Sequence, residues 1–112
     1  MIVTYEGVIL AGETYIEKVT KREEGSILSR KSLDPRYDLR NHSPDGFSWG
    51  YFGSGPLQIA LAIVADAVSA NIALRTHIEF TERVISRLPA GKEFVLNRNE
   101  VRSVIDDILE GD

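Results

Sequence analysis

Residues 40–56, Arg-Asn-His-Ser-Pro-Asp-Gly-Phe-Ser-Trp-Gly-Tyr-Phe-Gly-Ser-Gly-Pro, hold most of the side chains in this chain that bear on chemistry. A Gly-Ser-Gly turn opening a helix concentrates free backbone N–H groups. Its glycines let a ligand approach closely, and the helix dipole favours negative charge there. Arg40 and His42 stand just upstream as side-chain donors, and Trp49 or Tyr51 could stack on a ring. The chemistry expected of Gly53, Ser54, Gly55, Arg40, His42 and Trp49 is therefore capture of an anion: a phosphate, a carboxylate or a nucleotide. The same Gly-Ser-Gly-Pro also suits a tight strand-to-helix junction that binds nothing. It is not a Walker A loop, because no Gly-Lys-Ser/Thr follows, and it lacks the third spaced glycine of a dinucleotide fingerprint. Nor is Ser54 in a nucleophile elbow, since Phe52 and Pro56 occupy the positions that need glycine.

Other reactive groups are sparse. The absence of cysteine excludes disulfides, thiolate zinc sites, iron–sulfur clusters and cysteine nucleophiles. The two histidines, His42 and His77, lie far apart in sequence, which argues against a local metal cage but leaves open a mixed site closed by carboxylates. His77 reads as a core histidine on an apolar helix face. Asp66 interrupts an apolar helix and needs a partner if buried, with Arg75 or Arg83 as candidates. Asp106, Asp107 and Glu110 read as a solvated acidic face or a partner surface. Phe47, Trp49 and Tyr51 recur with period two and read as a core wall, with a base-stacking platform as the alternative. No catalytic residue, metal site or cofactor is assigned.

Charge and composition bound the partners. The 112 residues carry 13 basic and 17 acidic side chains, a net charge of −4, so broad coating of nucleic acid is not expected. Residues 18–40 nevertheless concentrate Lys18, Lys21, Arg22, Arg30, Lys31, Arg36 and Arg40. They read as a solvated strand face, with a nucleic-acid patch as the alternative. The apolar run 56–68 is too short to span a bilayer. The amino terminus shows no secretory signal, which points to a cytoplasmic protein.

These groups need a scaffold, and the order of elements predicts one α+β domain over residues 1–112. Residues 2–10, 14–20 and 26–33 predict strands of an antiparallel meander, with Gly7 marking a bulge or a close backbone approach. Residues 34–55 form a long connector, expected to be functional and partly strand. Residues 57–68 are apolar almost all round and predict a buried central helix, N-capped by Ser54 or Gly55. A second helix is expected from Ile72 or Thr76 to Leu88, then a brief strand over 93–96. Asn97 and Glu100 form a capping box for a last helix running to Leu109. The expected architecture is a small antiparallel sheet packed on the buried helix, followed by two further helices.

With those residues in view, the chain resembles an uncharacterised family of small proteins from bacteria, archaea and their phages. The resemblance rests on a His-Ser-Pro-x-Gly-Phe-x-Trp-Gly-Tyr-x-Gly-Ser-Gly-Pro-x-Gln-Leu-Ala-Leu-Ala block, here His42 to Ala62. Phe52 stands where the family often has glycine, and Ile59 where it has leucine. The resemblance implies one full-length domain and a mobile-element context. It brings no activity, cofactor or catalytic residue.

Three functions follow as expectations. The first is a non-enzymatic interaction module, an adaptor or inhibitor, with a protein partner or a second copy of itself. The second is an anion or nucleotide binder at Gly53-Ser54-Gly55. The third is nucleic-acid binding through residues 18–40.

Overall fold

The computed structural model describes residues 1–44 and 46–111; Asp45 and Asp112 lie outside the described residues. β1 (Ile2–Leu10) and β2 (Glu13–Lys21) form a hairpin. Its two-residue turn, Ala11-Gly12, has φ of 51° and 80°. Positive φ at both positions matches the twist of the flanking strands. β3 (Ile27–Ser32) pairs with β2, and β4 (Phe94–Asn97) returns late in the chain to pair with β1. The sheet is antiparallel throughout, in the order β3-β2-β1-β4. Gly7 lies opposite Phe94, and a Cβ on it would run into the Phe94 ring, which is the close approach its place in a strand suggested.

Three helices pack against one another and share one core with the inner face of this sheet. α1 (Ser54–Ala67) is the expected central helix, and Ile59, Leu61, Ile63 and Val64 are fully buried. Its N-cap is Gly53 rather than Ser54 or Gly55, and no side chain caps it. Small residues at 60, 62, 65 and 67 keep it close to its neighbours. α2 (Ala70–Arg83) starts at Ser69, whose hydroxyl accepts from the Ile72 N–H at 3.2 Å. It stops short of the expected Leu88: Val84 leaves helical geometry and a 3₁₀ turn, Ile85–Arg87, follows. α3 (Arg98–Glu110) opens with both halves of the Asn97–Glu100 capping box and buries Val101, Ile105 and Ile108. The connector contains no strand among its described residues, contrary to expectation. No helix among the described residues is long and apolar enough to cross a membrane.

The outer face of the sheet solves a charge problem. Glu6 and Glu17 stand directly opposite each other across β1 and β2, a destabilising pair of like charges. Arg30 from β3 bridges them, at 3.4 Å to Glu6 and 3.0 Å to Glu17, and Lys21 lies 3.5 Å from Glu6. Thr4 donates its hydroxyl to Glu6 at 2.9 Å. These side chains also roof over Val19, which is fully buried although it shares the outer face with Glu6.

Partial burial pushes the Glu6 carboxyl up, but the Thr4 hydrogen bond and the Lys21 and Arg30 charges outweigh it. The carboxyl is held below the ordinary glutamate range. A depressed folded-state value gives stability that is present at neutral pH and lost as pH falls through it. Glu6→Gln is therefore expected to cost about 1.5–3 kcal/mol at pH 7, the range for hydrogen bonds to a charged group. The variant and the unmodified protein should converge in acid. Denaturant unfolding followed from pH 7 down to pH 3 measures both.

Candidate functional site

One buried amide organises the connector. Gln58 sits on the second turn of α1 with no exposed surface. Its Oε1 accepts from the backbone N–H groups of His42 (2.7 Å) and Ser43 (3.3 Å). Its Nε2 donates to the carbonyls of Pro35 (2.5 Å) and Arg40 (3.1 Å). Two donors and two acceptors is the full capacity of a glutamine side chain. A polar side chain on a helix enclosed by protein has to be satisfied, and the irregular backbone of residues 35–43 supplies the partners. Ser43 adds a hydroxyl bond to the Gly46 carbonyl (2.9 Å), and the Tyr37 phenol donates to the Ser43 carbonyl (3.0 Å).

This loop carries His42 onto α2, where it meets His77. The two Nε2 atoms are 3.0 Å apart and the rings are tilted by 46°. His77 is buried and its Nδ1 lies 2.8 Å from the Ala73 carbonyl. A carbonyl only accepts, so Nδ1 carries the hydrogen and Nε2 of neutral His77 offers a lone pair. His42 therefore donates from Nε2. Burial, then the charges of His77 and Arg40, press His42 below the ordinary histidine range. Burial first, and Arg40 with it, does the same to His77 against the opposing pull of the Ala73 bond. The pair is neutral at pH 7.

The six residues expected to bind an anion are not gathered round one point. Trp49 is buried, donates its indole N–H to the Lys92 carbonyl (2.8 Å) and meets Phe94 edge-on at 4.9 Å, as a core aromatic does. Phe47 is half-buried and Tyr51 exposed, so the aromatic trio is split. Arg40 is exposed and gives only its carbonyl to Gln58. Gly55 is buried against Ser48, whose hydroxyl occupies the space a Cβ would need. Gly53 faces the Tyr51 ring in the same way, and Ser54 is exposed. Gly50 is held at φ +89° with Ala90 against it, a position closed to other residues.

Asp66 does not pair with Arg75 or Arg83; Arg83 binds Glu79 instead, at 3.0 Å. The Asp66 carboxylate accepts from the Tyr5 phenol (2.7 Å) and from Lys18 (3.0 Å). Burial and then the Asp66 bond push the Tyr5 phenol far above its ordinary range, so it stays protonated and donating.

Beside this triad lies a cleft of about 510 Å³, lined by Lys18, Lys31, Arg36, Asp34, Asp66 and the small side chains of α1. A second cleft, about 550 Å³, adjoins it at Ser32 and Leu33 and is walled by Tyr15 and Phe47. Lys18 and Lys31 are directly opposite in the β2–β3 register, on the inner face. Asp66 neutralises Lys18, while Lys31 has no ion pair among the described residues. Arg36 is turned to Asp38 in a bidentate pair at 3.0 and 3.1 Å. The sequence flagged the basic window; only the register shows that two of its lysines face each other over a cavity. The partnership of Gln58 with four backbone groups, and that of His42 with His77, leave no local sequence signature.

Gln58→Met keeps the volume but orphans four backbone groups. It is expected to cost about 2–4 kcal/mol in denaturant unfolding, from the penalty for unpaired buried polar groups. The amides of His42 and Ser43 should lose their hydrogen-exchange protection while those of α3 keep theirs.

No curated protein and no solved structure matches the chain. A family model does match, over residues 11–107, which span β2, β3, the connector, all of α1 and α2, β4 and most of α3. The chain belongs to the family of unknown function DUF6166.

Proposed function

We propose that this chain is a non-enzymatic interaction module that docks an acidic, extended segment of a protein partner along β3, in the manner of an adaptor or inhibitor. The observation that carries the reading is the contrast between the two like-charge pairs of the sheet. Glu6 and Glu17 on the outer face are bridged within the chain by Arg30. Lys18 and Lys31 on the inner face are answered by one carboxylate, Asp66, which leaves Lys31 over an open cleft. A carboxylate from outside would complete the set.

The edge supports the same reading. Among the described residues, no strand pairs with the outer side of β3. Its N–H and C=O groups can therefore extend the sheet to an added strand. Ile27 and Leu28 are exposed near its start, and the two clefts flank its end at Ser32. Arg30 and Lys31 on each copy oppose pairing of β3 with a second β3, so the edge favours a partner of opposite charge.

A labelled peptide of alternating glutamate and valine, with its lysine–valine counterpart as control, tests this by fluorescence anisotropy. The acidic peptide is expected to bind with an affinity that falls as salt is added. Lys31→Glu should weaken it by about tenfold or more, the scale of reversing one charge at such an interface. Unchanged affinity in Lys31→Glu, or equal binding of both peptides, overturns the proposal. Full competition by inorganic phosphate would assign the cleft to a small free anion instead.

A further inference from the structure

We infer that His42 and His77 form a binding site for a divalent transition-metal cation of the zinc, cobalt and nickel class. The two Nε2 atoms converge at 3.0 Å. Two metal–imidazole bonds of about 2.1 Å meeting at roughly 90–110° span about 3.0–3.4 Å, so the observed separation suits a cation that replaces the shared hydrogen, each ring tilting to aim its lone pair off the line between the two nitrogens.

The surroundings prepare both ligands. The Nδ1–H of His77 is committed to the Ala73 carbonyl, which fixes its tautomer and aims the Nε2 lone pair at His42. A backbone carbonyl on the far nitrogen is the usual outer support of a metal-bound histidine. His42 is held through its main chain by the Gln58 bond to its N–H, and its Nδ1 has no hydrogen-bond partner among the described residues, so the proton that Nε2 gives up to a metal can be carried on Nδ1. His42 is half-exposed while His77 is buried, so the cation enters from the His42 side and keeps solvent on its remaining positions.

Among the described residues no third histidine or carboxylate joins the pair, which makes this an open site rather than a closed structural one. Imidazole ligands select zinc, cobalt, nickel or copper over magnesium and calcium, which require oxygen. Arg40 is the cation nearby, and its charge acts on both rings. It opposes a bound metal and so provides a distinguishing variant. A hydrogen bond between two imidazoles has no need of a metal and would not respond to Arg40 in this way.

The test uses the full chain without a histidine tag, titrated with Co²⁺ and Zn²⁺ and read by visible absorption and by melting temperature. Cobalt is expected to give a saturable d–d band, and zinc a rise of several degrees that magnesium does not give. His42→Ala removes a half-exposed side chain, leaves the buried His77 in place, and should abolish both signals. Arg40→Ala should tighten cobalt binding severalfold. Absence of the cobalt band and the zinc shift overturns the inference. So does retention of both in His42→Ala, or weaker cobalt binding in Arg40→Ala.

Discussion

The arrangement of the connector, and of the cleft and histidine pair beside it, depends on one buried amide. α1 is enclosed so completely that its single buried polar side chain, Gln58, has to find every hydrogen-bond partner inside the protein. It finds them in the connector. The Pro35 carbonyl places Asp34 and Arg36 at the cleft beside β3, and the His42 N–H places the imidazole against His77. The cleft residues and the histidine pair are thus both held through one carboxamide. A loop of this length without strand or helix is ordinarily free to move. Here its first half is fixed to the buried central helix.

The sheet is governed by a second constraint, the register. Pairing β1 with β2 and β2 with β3 sets glutamate against glutamate on one face and lysine against lysine on the other. Neither pairing is favourable alone. The outer pair is settled within the chain by Arg30, with Lys21 and Thr4 assisting. The inner pair is settled only on the Lys18 side, through Asp66 and the Tyr5 phenol, which also tie the end of α1 to β1 and β2. The difference between the faces separates a structural network from a surface with unused charge.

Much of the scaffold was legible because its signals are local. The apolar run that became α1 and the Asn97–Glu100 capping box each depend on residues a few positions apart. Expectations failed where the competing interaction was distant. The period-two aromatics suggested a strand, but beside them the Phe47 carbonyl accepts from the Thr14 hydroxyl and the Gly50 N–H donates to the Ile85 carbonyl, with no ladder among the described residues. Helix periodicity carried α2 through to Leu88, whereas Val84 turns out of the helix and a 3₁₀ turn follows. Asp66 was matched to arginines further along the chain. Its partners, Tyr5 and Lys18, come from strands that precede it by 61 and 48 positions.

The amino-acid order alone thus determined the α+β class, the buried character of α1 and a basic stretch near β3. These follow from composition, periodicity and capping within a few turns of chain. Tertiary structure alone decided that Lys31 faces Lys18, that Gln58 holds the connector and that His42 meets His77. Each of those is a contact between residues 13 to 35 positions apart. Such contacts exist only once the sheet register is set and the loop has folded back over the helices, and no local propensity encodes that closure.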